Sequence, residues 1–248
     1  MGKEQLLIDI CLLAGRMMAQ AGAETYRVED TMTRMAAAAG FPNSQSFVTP
    51  TVVMFNLEPM YTTHFARVNE RGTDLEKIAL VNSISRQMVK GEINLNEAQQ
   101  MLKQLDEKSL SFPAWLQVVA AALASGSFLL MFKGMWIDYL PAALIGGAGF
   151  IILLIAHYLS KVKLFAEFFA SFVIGGLAVL SVQFGFGRNL DLIIIASVMP
   201  LVPGLLITNA IRDLMAGHFM AGVSKGAEAF LTAFAIGAGV ALVFSFFV

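Results

Sequence analysis

Residues 139–160 read YLPAALIGGAGFIILLIAHYLS, without one Asp, Glu, Lys or Arg. As an α-helix this stretch would extend roughly 33 Å, about the thickness of the hydrocarbon core of a bilayer. A soluble helix rarely stays apolar around its whole circumference for that length. The stretch therefore reads as a membrane span, and it sets the fold class. Reading outward, four similar segments complete the pattern. The expected spans are about 113–132, 138–160, 164–187, 191–211 and 228–248. Apart from Asp138, Asp191 and Glu228 at the span ends, their only acid is Glu167, four residues into the third span.

The whole chain agrees with this reading. Of 248 residues 57% are hydrophobic and 14% charged, with a mean hydropathy of +0.69. Such a composition excludes a disordered chain, and one cysteine excludes a disulfide scaffold. Lys+Arg is 17 against Asp+Glu 18, so no surplus positive charge is available for nucleic acid. The charge is unevenly placed. Residues 1–112 carry 11 Lys/Arg and 13 Asp/Glu, whereas residues 113–248 carry 6 and 5. The expected architecture is an α-helical membrane protein: a small cytoplasmic mixed α/β domain over 1–112, then a five-helix transmembrane domain over 113–248.

Orientation follows from the basic residues. Lys103, Lys108, Lys161, Lys163, Arg212 and Lys225 fall on the side of the N-terminal domain, and only Lys133 and Arg188 on the other. This places the N-terminal domain in the cytoplasm and, with five spans, the C-terminus outside. Glu4 and Asp9 argue against a secretory signal at the start.

Within 1–112, Leu6, Ile10, Leu13 and Met17 share one helix face, and Val28, Met32, Met35 and Ala39 share another. Gly22 separates these helices. Ser46–Leu57 and Tyr61–Val68 read as two strands joined at Glu58-Pro59. Thr73-x-x-Glu76 and Asn94-x-x-Glu97 are capping boxes that open two more helices. The order is ααββαα. Cys11, on a helical face, reads as a small buried hydrophobe.

Three places could carry chemistry. Residues 200–218 read PLVPGLLITNAIRDLMAGH. Pro203 and Gly204 break a helix at membrane depth, where unwound backbone is tolerated only beside protein or a cavity. Transporters place substrate near such half-helix ends. Thr208 with Arg212, and Asn209 with Asp213, each lie four apart and share a face. That face suits a small carboxylate, with Arg212 able to hold it bidentately. A simple proline kink, and an Arg–Asp pair that only sets topology, stay open beside that reading. Glu167 is a candidate coupling acid, because an intramembrane carboxylate points to proton or substrate coupling unless it reaches the interface. Finally, Gly22, Glu24, Thr25, Arg27 and Glu29 gather three charges and a hydroxyl at a helix junction, which is also what an ordinary helix start looks like. No nucleophile–base pair and no metal-ligand spacing is present in the sequence, so no catalytic residues, metal or cofactor are expected.

Small residues cluster in the spans: Ala142, Ala143, Gly146, Gly147 and Gly149, then Gly175 and Gly176, then Gly237 and Gly239. They fit either close packing in one bundle or an interface with another subunit.

The motifs GAET at 22–25, followed by Arg27 and Glu29, and VPGxxxTNxIRD at 202–213, followed by Gly217-His218, resemble those of the threonine/serine exporter (ThrE) family. The resemblance covers the whole chain and is nearest to the N-terminal half in its split, YjjP-like form. It implies a bacterial plasma-membrane exporter subunit with no enzymatic activity. The implied substrate is a small carboxylate, a dicarboxylate such as succinate before threonine or serine. It further implies a YjjB-like small membrane protein as partner, while assembly of the chain with itself is left open. A homologous five-span half would be inverted relative to this one. A membrane-anchored enzyme and a sensor are the rival classes.

Overall fold

The computed structural model describes residues 2–58, 62–69, 71–108 and 112–247. These fold into two compact units. The first is built from Met1–Ser111 and Leu205–Gly226, the second from Phe112–Gly204 and Ala227–Val248.

In the first unit, α1 (Lys3–Gln20) and α2 (Thr25–Ala38) precede strands β1 (Gln45–Val48), β2 (Val52–Asn56) and β3 (His64–Arg67). Helices α3 (Leu75–Val89) and α4 (Leu95–Glu107) follow. The sheet is antiparallel in the order β1-β2-β3, with Phe47 opposite Met54 and Met54 opposite Phe65. There are three strands where the sequence predicts two. Pro50 cannot donate to a ladder, so 46–57 folds back on itself. The Thr49 amide donates to the Val52 carbonyl at 2.9 Å, and the Thr49 hydroxyl accepts from the Val52 amide at 3.2 Å. The expected junction at Glu58-Pro59 and the strand start at Tyr61 lie partly outside the described residues.

The buried face of α1 is Leu7, Ile10, Cys11, Ala14, Met17 and Met18, while Leu6 and Leu13 sit at its margin. The seam is thus rotated by about one residue from the predicted face. It packs on Val28, Met32 and Met35 of α2 and on Val53 and Phe55 of β2 in one core. Cys11 is fully buried, and burial pushes its thiol well above the usual range. The cap of α3 is Asp74, whose carboxylate accepts from the Lys77 amide at 2.8 Å, rather than Thr73. The Asn94/Glu97 capping box of α4 forms as predicted.

In the second unit, α5 (Ala114–Met131), α6 (Trp136–Ser160), α7 (Lys163–Gln183) and α8 (Leu190–Val198) are joined by short connections. A 3-10 turn, Met199–Leu201, ends α8. Next in sequence come α9 (Gly204–Met215) and α10 (Phe219–Phe247), of which residues 205–226 belong to the first unit. Among the described residues four helices, α5, α6, α7 and α10, are long and apolar enough to cross a membrane. The bent pair α8 and α9 makes a fifth if counted as one span. At most 44% of any of the four is buried inside the fold, so most of each apolar surface faces outward. The protein is a helical membrane protein.

Two departures concern the last spans. Span four is interrupted at Val202-Pro203, as the prolines require. The last helix starts about nine residues earlier than expected, so 212–228 is helix with one tight turn rather than a linker. Gly217 makes that turn at φ 85°, and the His218 amide donates to the Asp213 carbonyl at 2.8 Å.

The glycines divide by surroundings. A Cβ at Gly146 would collide with Ser125, and one at Gly239 with Ser171 and the Phe168 carbonyl, so these two admit close helix approach within the bundle. Gly176 and Gly237 have open space where a Cβ would stand.

Candidate functional site

The connection between α1 and α2 has a fixed shape. Gly22 adopts φ 83°, and a Cβ there would lie 2.8 Å from the Gly72 carbonyl, so only glycine fits. The Gly72 amide donates to the Gln20 carbonyl at 2.9 Å, and the Asp74 amide to Ala21 at 3.0 Å. This pins the connection against the segment entering α3. Helix α2 then starts at Thr25, with Glu24 at its cap position.

Residues 205–226 belong to the same unit and form a helical hairpin, α9 and the first part of α10. Gly222 lies close under Leu214 and the Ala210 carbonyl. The two motifs singled out separately in the sequence meet here. The Thr25 amide donates to Asp213 Oδ1 and the Thr25 hydroxyl to Asp213 Oδ2, both at 2.9 Å. Lys225 Nζ contacts Asp213 Oδ2 at 2.7 Å and donates to the Ala23 carbonyl at 3.2 Å. Asn209 Nδ2 donates to the Gly22 carbonyl at 2.9 Å. Asp213 is fully buried and Lys225 nearly so. Both oxygens of Asp213 are therefore engaged in holding the hairpin to the α2 start.

Arg212 points the other way, with its side chain 58% exposed. It donates from NH1 to Glu24 Oε1 at 2.7 Å. Arg27 Nε lies 3.2 Å from the other oxygen, Glu24 Oε2. One buried carboxylate thus bridges two guanidiniums, which leaves one surplus positive charge. These three side chains wall a cavity of about 410 Å³, shared with Thr73, Asn82, Thr208 and Asn209. The charged part of the lining is cationic, with neutral hydroxyl and amide groups beside it and Leu75, Ile78, Ala79 and Leu205 as an apolar remainder. Such a surface can hold a small anion through charge-assisted hydrogen bonds.

Glu29 stands apart from this wall. Its Oε1 accepts from the Val48 amide at 2.9 Å, and its Oε2 lies 3.8 Å from His218 Nδ1. Burial pushes its carboxyl above the usual value, against the Val48 amide and His218.

Pro203 and Gly204 fall in the second unit, at the break before α9. Glu167 also belongs to that unit. It is almost completely buried on α7, with Lys163 Nζ 3.9 Å away and the Thr232 hydroxyl beside it. Lys163 also reaches Glu228 at 3.4 Å. Lys225, Lys163, Glu228 and Thr232 were not among the residues the sequence pointed to. Lys225 lay between two expected spans, where nothing in the sequence signalled a helical hairpin.

The chain belongs to the threonine/serine exporter family. The family model described as "Putative threonine/serine exporter" (ThrE) matches residues 9–247. Among curated proteins, the chain is 23% identical to "Probable succinate transporter subunit YjjP" of Escherichia coli (strain K12), covering 97% of this chain and 94% of that one. Its counterpart of the same name in Klebsiella aerogenes is also 23% identical, over 97% and 93%. "Probable threonine/serine exporter" of Mycobacterium tuberculosis is 20% identical over 92% of this chain and 44% of its own length. No solved structure matches. Family and span-forming helices together make this chain a membrane transport protein.

Proposed function

We propose that the chain is one subunit of a two-part bacterial plasma-membrane exporter of a small carboxylate, a dicarboxylate such as succinate. The observation that carries this is the pair Arg27 and Arg212, converging on one carboxylate at the wall of a cavity. Two guanidiniums that converge on one carboxylate suit an anionic ligand, one carboxylate of which can bridge them as Glu24 does. Thr208 and Asn209 supply neutral hydrogen-bonding groups, and Asp213 fixes the helix that presents them. Pro203 and Gly204 interrupt the span and let α9 start afresh. Glu167, buried on α7 beside Lys163, is the coupling acid in this reading. The N-terminal domain lies in the cytoplasm, following the basic residues, and the C-terminus lies outside. The partner is a YjjB-like membrane protein, which accords with the word "subunit" in the names of two full-length relatives.

Threonine or serine is the second reading, favoured by the name of the mycobacterial relative. An amino acid would need a carboxylate for its ammonium group, and Glu24 is the acid at the cavity. Efflux of labelled succinate and labelled threonine from preloaded vesicles separates the two. The vesicles carry this chain alone or with the YjjB-like protein. Succinate efflux that requires both chains is the expected result. Efflux of threonine and not succinate would move the substrate to the amino-acid class. Absence of either efflux in all combinations would overturn the proposal.

A further inference from the structure

The carboxylate site of the first unit is already filled by a residue of the chain. We infer that Glu24 is a built-in occupant of the site, standing between Arg27 and Arg212 where a substrate carboxylate binds, and displaced when substrate enters. The inference rests on the anion-site reading above and adds to it how the site is kept closed and what opens it.

Three features of the geometry support this. First, Glu24 gives one oxygen to each guanidinium, at 2.7 Å and 3.2 Å, as an incoming carboxylate would. Both guanidiniums remain close to half exposed, so they are reachable from the cavity.

Second, the Glu24 side chain has no structural task that would keep it there. It occupies the cap position of α2 but makes no cap hydrogen bond. The Thr25 amide is taken by Asp213, and the Arg27 and Val28 amides reach the Glu24 backbone carbonyl. The backbone on both sides is fastened independently. The Gly22 carbonyl is held by Asn209, the Ala23 carbonyl by Lys225, and Thr25 by Asp213. Glu24 can therefore leave by side-chain rotation, with the backbone in place.

Third, the site requires an anion. Removing Glu24 without a replacement would leave Arg27 and Arg212 facing each other with no anion between them. Two such guanidiniums repel each other, an effect that their partial exposure to solvent weakens without removing. A ligand carboxylate cancels this penalty and a neutral ligand does not. Glu24 thus acts as a filter for anions. It also lowers apparent affinity, because only the fraction of molecules with Glu24 displaced can bind.

The test is equilibrium binding of labelled succinate and labelled threonine to the purified full-length chain, with thermal unfolding of each variant measured alongside. Glu24→Gln keeps the shape and removes the charge. The expected result is succinate binding about tenfold tighter than in the unsubstituted chain. Glu24→Asp, too short to bridge both arginines, should tighten it about threefold, and serves if Glu24→Gln folds poorly. Arg212→Gln should lose succinate binding. Unchanged or weaker succinate binding in both Glu24 variants, with loss in Arg212→Gln, would overturn the role of Glu24 and leave the anion site standing. Succinate binding absent from the unsubstituted chain and the Glu24 variants alike would overturn both. Threonine binding that disappears in Glu24→Gln would make Glu24 an ammonium ligand and overturn the inference.

Discussion

Asp213 on α9 accepts two hydrogen bonds of 2.9 Å from Thr25, one from its amide and one from its hydroxyl, across 188 residues of sequence. The carboxylate does for α2 what a local cap residue does elsewhere, satisfying an orphan amide at a helix start. It is also paired with Lys225 at 2.7 Å, so a buried charge is neutralised and hydrogen-bonded at once. This one side chain ties the motif at 22–29 to the motif at 202–213.

The first prediction follows from that burial. Removing one partner of a buried, hydrogen-bonded ion pair costs about 3–5 kcal/mol, because the other charge is left uncompensated. Asp213→Ala and Lys225→Ala should each destabilise the protein by about that amount. Asp213→Asn keeps an acceptor for the Thr25 amide and should cost less. The double variant Asp213→Ala/Lys225→Ala should fall short of the sum. Thermal or denaturant unfolding of the purified chain measures this. Additive losses would mean the two residues do not act as a pair.

Much of the fold was legible in sequence because membrane spans have a long, simple signal. The apolar run at 139–160 became α6, and the prolines at 200 and 203 marked the break before α9. The i, i+4 spacing of Thr208, Asn209, Arg212 and Asp213 was legible too, since they lie on one helix. The meeting of Thr25 with Asp213 and of Glu24 with Arg212 was not legible. Pairings so distant in sequence leave no periodic trace. Lys225 was hidden for a related reason: a charged stretch between apolar runs resembles a loop, and only the turn at Gly217 reveals a helical hairpin. The single long strand predicted over 46–57 failed because composition outweighed Pro50, whose missing amide requires a turn.

Arg212 should be needed for transport in a way that lysine cannot replace. It is one half of a bridge in which Glu24 reaches two guanidiniums, and its remaining donors face the cavity. A lysine ammonium is shorter and lacks the planar fork. Arg212→Ala and Arg212→Lys should both lower succinate efflux by tenfold or more, at equal membrane abundance. Efflux within twofold of the unsubstituted protein in Arg212→Ala would remove this residue from the substrate path.

Glu29 sets a pH dependence of stability with a definite sign. Burial is the largest cause of its raised carboxyl, which the Val48 amide and His218 oppose and Asp213 reinforces. A carboxyl that titrates higher when folded binds more protons in the folded than in the unfolded state. Stability therefore falls as pH rises from its ordinary value of 4.5 through the raised folded value, and stays lower above it. Glu29→Gln still offers an acceptor to Val48 and has no charge to bury. It should match the unsubstituted chain near pH 4 and exceed it at pH 8. Melting temperatures at the two pH values decide. An advantage for Glu29→Gln at pH 4 that vanishes at pH 8 would reverse the sign and show that His218, rather than burial, governs this group.

The glycines of the second unit should separate into two kinds. Gly146→Val and Gly239→Val place methyl groups against Ser125 and against the Phe168 backbone, where packed helices cannot yield. Both should reduce the yield of monodisperse protein on gel filtration severalfold. Gly176→Ala and Gly237→Ala point into open space and should leave that yield unchanged. A loss of transport, without loss of yield, in either alanine variant would mark the open face as the contact for another subunit.

Glu167 offers the sharpest test of coupling. It is buried on α7, four residues from the helix start, with Lys163 at 3.9 Å and the fully buried Thr232 beside it. Lys163 is shared with Glu228 at 3.4 Å, so two carboxylates compete for one cation. If Glu167 is the coupling acid, its protonation would release Lys163 to Glu228 and so act between α7 and α10. Glutamine at 167 mimics the protonated acid permanently. Glu167→Gln should therefore bind succinate as the unsubstituted chain does, while its efflux from vesicles no longer responds to an imposed pH gradient. Lys163→Met should likewise blunt the response, since it removes the cation that both acids contact. Efflux by Glu167→Gln that follows the gradient as steeply as the unsubstituted protein would exclude Glu167 as the coupling acid.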